Sequence, residues 1–132
     1  MGASVQRYDE SVYLNCLIRF AQAWNEHDLD GLMSCMTEDC VFEASSGHEH
    51  WGRRYEGAPA VRRAYGDIFA AFPDGVWSDA RHWVSLDKGV SEWTFSGTRA
   101  DGLQVHVNGC DLFLLRDGRI ALKNSFRKYE VR

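Results

Sequence analysis

The second half of the chain alternates strand and turn four times, and this constrains the fold more than any other feature. Segments of roughly 76–86, 90–99, 103–116 and 119–129 carry the aromatic and β-branched residues that strands favour. Between them stand Asp87-Lys88-Gly89, Ala100-Asp101-Gly102 and Arg116-Asp117-Gly118, the residue types of hairpin turns. A meander of this length has to hide one face of its sheet, and the first half of the chain supplies the cover. From about Tyr8 to Asn25, Tyr13, Leu17, Phe20 and Trp24 recur at helical spacing. After a break at His27, Asp28 can cap a short second helix carrying Leu29, Leu32, Met33 and Met36. Val41 to Ala44 reads as a strand and Arg53 to Tyr55 as a short return. Pro59 then opens a third helix, where its missing N–H costs nothing, with Val61, Ala64, Tyr65, Ile68, Phe69 and Phe72 on one face. Helices first and a β-meander second predict an α+β fold: three N-terminal helices packed on one face of a curved antiparallel sheet of about six strands, two of them short.

Residues 1–132 form one domain in this reading, with residues 1–7 as a frayed lead-in. Hydrophobic residues make up 45% of the chain and include seven Phe, five Tyr and five Trp. That is enough for a full core without disulfide or metal. The net charge of −4 is mild and spread out, and no basic stripe exists to neutralise phosphates, so nucleic acid is not an expected partner. No apolar run reaches the roughly 18 residues of a membrane span, and the N-terminus lacks the regions of a signal peptide. Cys16, Cys35, Cys40 and Cys110 form no CxxC pair and stand in apolar contexts, as thiols in a reducing cytoplasm do.

The run Cys110-Asp111-Leu112-Phe113-Leu114-Leu115 is apolar on both faces apart from Asp111. The helices can cover one face only. The reading is therefore a homodimer joined through the outer face of the sheet; the alternative is that aromatics such as Trp93 and Phe95 cover it.

The runs AWNEHDLDGLMSCMTEDCVFEA, YEGAPAVRRAY, GVSEWTFSGT and GCDLFLLRDGRI together resemble the nuclear-transport-factor-two-like superfamily. That group includes SnoaL-like polyketide cyclases, ketosteroid isomerases and limonene-epoxide hydrolases, and the likeness spans residues 8 to 128. It implies a cone-shaped fold with one pocket between sheet and helices, usually in a dimer. The catalytic sets carry over poorly. Phe20 stands where a ketosteroid isomerase has its oxyanion-hole tyrosine, and Ala44 where it has its base. Asp111 alone matches the second oxyanion-hole acid, and Tyr65 a supporting tyrosine. The Arg/Asp/Asp set of the epoxide hydrolases falls on Glu92, Thr94 and Ser125 and is absent. Cyclase chemistry, which chiefly needs an acid on the late strand, fits Asp111.

A carboxylate among Gly109, Cys110, Leu112 and Phe113 is poorly solvated, a condition that favours the neutral acid and suits proton transfer. A buried acid held in one ion pair explains the same residue. Turn geometry leaves two registers on each side of it. A three-residue loop at Arg116-Asp117-Gly118 sets Asp111 opposite Lys123, and a two-residue turn sets it opposite Asn124. A two-residue turn at Asp101-Gly102 sets Glu92 opposite Asp111, and a three-residue turn brings Trp93 and Phe95 to the pocket. The resemblance favours the first choice each time, with Thr94, Ser96, Ser125 and Arg127 on the pocket face. The expected site is therefore an acidic pair, Asp111 and Glu92, bridged by Lys123. It would serve either proton transfer, with Lys123 or Arg127 holding an enolate or carboxylate, or only the strand register. Phe20, Trp24, Phe42, Tyr65, Phe69 and Phe113 supply cavity wall or plain core. His48 and His50 alternate near Glu43, but without a third ligand they read as a pocket-mouth loop, and neither metal nor cofactor is implied. His106 faces away from Asp111, and His82 can reach the cavity or its rim. The function this supports is small-molecule binding, with acid/base isomerase, cyclase or lyase chemistry on a partly apolar carbonyl compound. The alternative is a non-catalytic accessory dimeric subunit of a larger enzyme.

Overall fold

Asp9 starts the first helix, α1 (Glu10–Glu26), by accepting the Ser11 N–H at 2.8 Å, which satisfies one of the donors that a helix start leaves unpaired. The computed structural model describes residues 9–131, so the frayed lead-in expected over residues 1–7 lies outside the described residues. Tyr13, Cys16, Leu17, Phe20, Ala23 and Trp24 form the buried stripe of α1. His27 ends the helix in a left-handed conformation (φ 52°), and its ring reaches the Gly75 carbonyl at 2.8 Å. Asp28 caps α2 (Leu29–Ser34) through the Gly31 N–H at 3.0 Å. Met36, expected in that helix, instead opens β1 (Met36–Glu43), because α2 stops at Ser34. A loop leads to β2 (Arg54–Glu56), and Pro59 stands in the first turn of α3 (Ala58–Ala71).

The meander follows as β3 (Val76–Ser85), β4 (Lys88–Thr98), β5 (Gln104–Arg116) and β6 (Arg119–Arg127). The six strands make one open sheet in the order β2-β1-β6-β5-β4-β3. All pairs are antiparallel except β1 with β6, so the sheet is mixed where a purely antiparallel one was expected. The parallel pair needs a long crossover, and β2, α3 and the rest of the meander provide it.

Helices cover the concave face of this sheet. Leu17, Leu32, Val61, Tyr65 and Ile120 are essentially inaccessible between the two layers. The opposite face carries Leu112, Leu114, Phe126 and Trp83 in the open. Trp93 and Phe95, offered by the sequence as cover for that face, point to the inner one. Among the described residues no helix is long and apolar enough to cross a membrane, and all four cysteines are free thiols.

Candidate functional site

Between the helices and the concave sheet lies a cavity of about 320 Å³. Its floor is ordered by strand pairing. His82, Ser91, Asp111 and Ser125 are successive partners across β3, β4, β5 and β6, and they form one polar row on the inner face. On one side of this row stand Trp93, Gly109 and Arg127. On the other stand Gly89, Phe113, Lys123 and Phe42. Phe20 and Trp24 of α1 close the roof.

Asp111 is only 5% exposed, yet both its oxygens have partners. Trp93 Nε1 donates to Oδ2 at 2.9 Å, and Ser125 Oγ donates to Oδ1 at 2.6 Å. Lys123, equally buried, donates to Ser125 Oγ at 2.9 Å, and its Nζ lies 3.6 Å from Asp111 Oδ1. Lys123, Ser125 and Asp111 thus form a hydrogen-bonded chain. The ammonium is otherwise enclosed by aromatic faces: Phe42 at 4.4 Å, Trp24 at 5.0 Å and Tyr65 at 5.3 Å from Nζ. Burial lowers the Lys123 pKa below its usual value, against the opposing pull of Asp111. Burial also lowers that of His82, again opposed by Asp111, which favours the neutral imidazole. His82 Nδ1 and Ser91 Oγ are hydrogen-bonded at 2.7 Å. Tyr65 is held well above its usual pKa, first by burial and then by Asp111. The side chain of Arg127 forms no ion pair or hydrogen bond among the described residues; its guanidinium lies 5.4 Å from the centre of the Phe95 ring at the cavity wall.

Several expected neighbours of Asp111 are elsewhere. Glu92 pairs with Cys110, projects to the outer face and lies 3.9 Å from Arg81. Thr94 bonds Asn108 and Ser96 bonds His106, both on that same outer face. The cause is the β4–β5 connection. Thr98 pairs with Gln104, and the Arg99 N–H bonds the Leu103 carbonyl at 2.9 Å, so the loop is longer than a two-residue turn at Asp101-Gly102. A one-residue slip turns every β4 side chain over, which brings Ser91, Trp93 and Phe95 inward. Trp93 can lie across to Asp111 because Gly109 leaves the space: a Cβ there would come within 2.3 Å of the indole.

On the β6 side, Asp111 faces Ser125, two residues from the expected Lys123. The turn is the two-residue one, Arg116 opposite Arg119, but Ala121 is then an extra residue and restores the parity. Lys123, Ser125 and Arg127 therefore reach the cavity as expected, with Phe20, Trp24, Phe42 and Phe113. Tyr65 and Phe69 do not line it. Tyr65 is fully buried behind the wall and donates to Met36 Sδ at 3.3 Å, while Phe69 stacks on His27. His48 and His50 are exposed in the loop after β1, and Glu43 is taken by Arg54 at 2.6 Å. Ser45, Ser46 and Tyr55, which flank that loop, line the cavity.

The SnoaL-like domain model matches residues 17–123. The chain belongs to the SnoaL-like family. No functionally curated protein matches its sequence. Solved SnoaL-like and related folds agree closely. A candidate polyketide cyclase of Xanthomonas campestris pv. campestris superposes with a TM-score of 0.77 at 17% identity, with 92% of each chain covered. A candidate isomerase of Bacillus subtilis gives 0.77 at 21% identity, covering 92% of this chain and 90% of its own. A nuclear-transport-factor-two-like protein of unknown function from Mesorhizobium loti gives 0.75 at 25%, covering 96% of this chain and all of its own. These likenesses establish the fold that encloses the cavity.

Proposed function

We infer that this SnoaL-like protein binds a small, partly apolar carbonyl compound in the cavity and moves a proton on it, as an isomerase, cyclase or lyase does. One observation carries the reading: a buried acid and a buried ammonium meet at the floor of a predominantly apolar cavity whose volume suits a small ligand. Asp111 takes the proton next to the carbonyl. Lys123 donates to Ser125 Oγ, and an ammonium carries three donors, so another of its N–H groups holds the enolate oxygen. Arg127, with no acidic partner among the described residues, serves an acidic group on the same ligand. Trp93 and Ser125 fix the carboxylate while leaving lone pairs for the substrate.

The test is exchange of ketone α-hydrogens in D2O, followed by proton NMR for a set of small cyclic and aryl ketones. The protein should accelerate exchange, and Asp111→Asn should remove roughly 10²–10⁴-fold of that acceleration. If Asp111→Asn keeps both binding and exchange, the catalytic role of Asp111 is gone.

A second reading is a non-catalytic accessory subunit. It is favoured by Phe20 and Ala44 where an isomerase has its tyrosine and base, and by the exposed Leu112, Leu114 and Phe126. Either way, the same outer face argues for a homodimer, and the free thiols suit a cytoplasmic location. Sedimentation should give a dimer that Leu112→Glu splits; a monomeric parent would refute this pairing.

A further inference from the structure

We propose that Lys123 is a covalent centre, an amine that condenses with the carbonyl of an aldehyde or ketone held in the cavity to form an iminium. This rests on the assignment above, because it needs the cavity to receive a carbonyl compound, and it replaces the hydrogen bond given there to Lys123 with a covalent one. The chain has three lysines, and their settings differ sharply. Lys88 and Lys128 are exposed, whereas Lys123 is buried and lines the cavity. Lys123 and Asp111 form a buried ion pair that the Ser125 hydroxyl bridges. Here Nζ stands 3.6 Å from Asp111 Oδ1, with Ser125 Oγ bonded to both, and much of its remaining surroundings is aromatic. Such surroundings solvate an ammonium poorly, and desolvated lysines are the ones that act as amine nucleophiles.

The same geometry provides the proton path. In a poorly solvated pair, the neutral amine and neutral acid compete with the ion pair, since each charge carries its own desolvation cost. Lys123 passes a proton to Ser125 Oγ, and Ser125 passes its own to Asp111 Oδ1, over 2.9 Å and 2.6 Å. The freed nitrogen lone pair attacks the carbonyl carbon, and the C=O π pair moves to oxygen. After one proton moves from nitrogen to that oxygen, the product is a carbinolamine. Protonated Asp111 then gives its proton to the carbinolamine hydroxyl, which leaves as water while the nitrogen lone pair closes the C=N bond. The result is a Lys123 iminium beside an ionised Asp111, with atoms and charge conserved. An iminium withdraws electrons more strongly than a carbonyl, so the neighbouring C–H becomes easier for Asp111 to deprotonate.

Benzaldehyde with sodium cyanoborohydride as the hydride donor tests this. The hydride converts the iminium to a stable benzyl amine that peptide mapping can locate. At limiting aldehyde, label on Lys123 should exceed that on Lys88 and Lys128 by at least about tenfold, against their exposure, because the cavity holds the aldehyde beside its amine. Asp111→Asn removes the acid that expels the carbinolamine hydroxyl, so reduced label on Lys123 should accumulate more slowly even with its amine neutral, and non-electrophilic benzyl alcohol should protect Lys123 alone. The unmodified protein suffices for the main readout, so a variant that fails to fold does not blunt it. Saturation-transfer NMR with benzyl alcohol separates the two levels of the argument. If benzyl alcohol binds while label follows exposure, on Lys88 and Lys128 only, the covalent role is overturned and the cavity assignment survives. If benzyl alcohol shows no transfer and Lys123 takes no label, both are overturned.

Discussion

Asp111→Asn offers the sharpest test of the electrostatics, because it removes a charge while keeping the shape. Asp111 and Lys123 are both about nineteen-twentieths buried, so solvent does little to screen them. At 3.6 Å and an effective dielectric constant of about 20, their attraction is worth about 4–5 kcal/mol. The asparagine can still accept from Trp93, but its amide NH2 then faces the Ser125 and Lys123 donors, which leaves the ammonium without a counter-charge. Lys123 has one escape, to release its proton. From a usual pKa of 10.5, doing so at pH 7 costs about 5 kcal/mol. The two routes agree, and the folded state should lose about 3–5 kcal/mol at pH 7 by urea unfolding. The pH dependence then carries a definite sign. If Lys123 is neutral in the folded variant and protonated in the unfolded chain, unfolding takes up a proton, and stability rises with pH by about 1.4 kcal/mol per unit. Between pH 7 and pH 9 the deficit should shrink by up to about 2.7 kcal/mol. The double variant Asp111→Asn with Lys123→Met removes both charges, and its loss should fall short of the sum of the single losses by at least about 2 kcal/mol. Losses that add within about 0.5 kcal/mol, together with a deficit flat in pH, would refute a coupled buried pair.

Gly109→Ala should push the Trp93 indole off Asp111, since a Cβ would meet the ring at 2.3 Å and the Phe126 carbonyl at 2.7 Å. The expected outcome is a loss of about 1–3 kcal/mol with altered tryptophan emission, and parental values of both would refute the contact. His82 has a lowered pKa through burial, so below about pH 6.5 the unfolded chain binds a proton that the folded one resists, and stability falls as pH drops. His82→Gln should flatten that part of the stability profile, and an unchanged slope would assign it to other groups. Asp28→Ala removes the cap on α2 and should cost about 0.5–2 kcal/mol by thermal unfolding; no loss would mean that the Gly31 N–H finds another partner.

The order of helices and strands, the caps at Asp28 and the face of α1 were legible because each depends on near neighbours in the chain. The face of β4 was legible too, although the family comparison argued for the wrong one. Ser91, Trp93 and Phe95 alternate with Glu92, Thr94 and Ser96, and period-two burial of the aromatics already selects the inward set. Choosing Glu92 as the partner of Asp111 followed the resemblance against that alternation, and Trp93, now seen bonded to the carboxylate, was lost from the site. What could not be read is the bulge at Ala121. Its cause lies outside the β5–β6 hairpin: the Ile120 N–H bonds the Cys35 carbonyl at 2.8 Å, where β6 also begins to pair with β1. A strand shared by two neighbours has to satisfy both registers, and β1 shows the matching irregularity between Met36 and Val41. The extra residue settles which of Lys123, Asn124 and Ser125 faces Asp111, so the composition of the polar row depends on a strand pairing more than 80 residues apart in the chain.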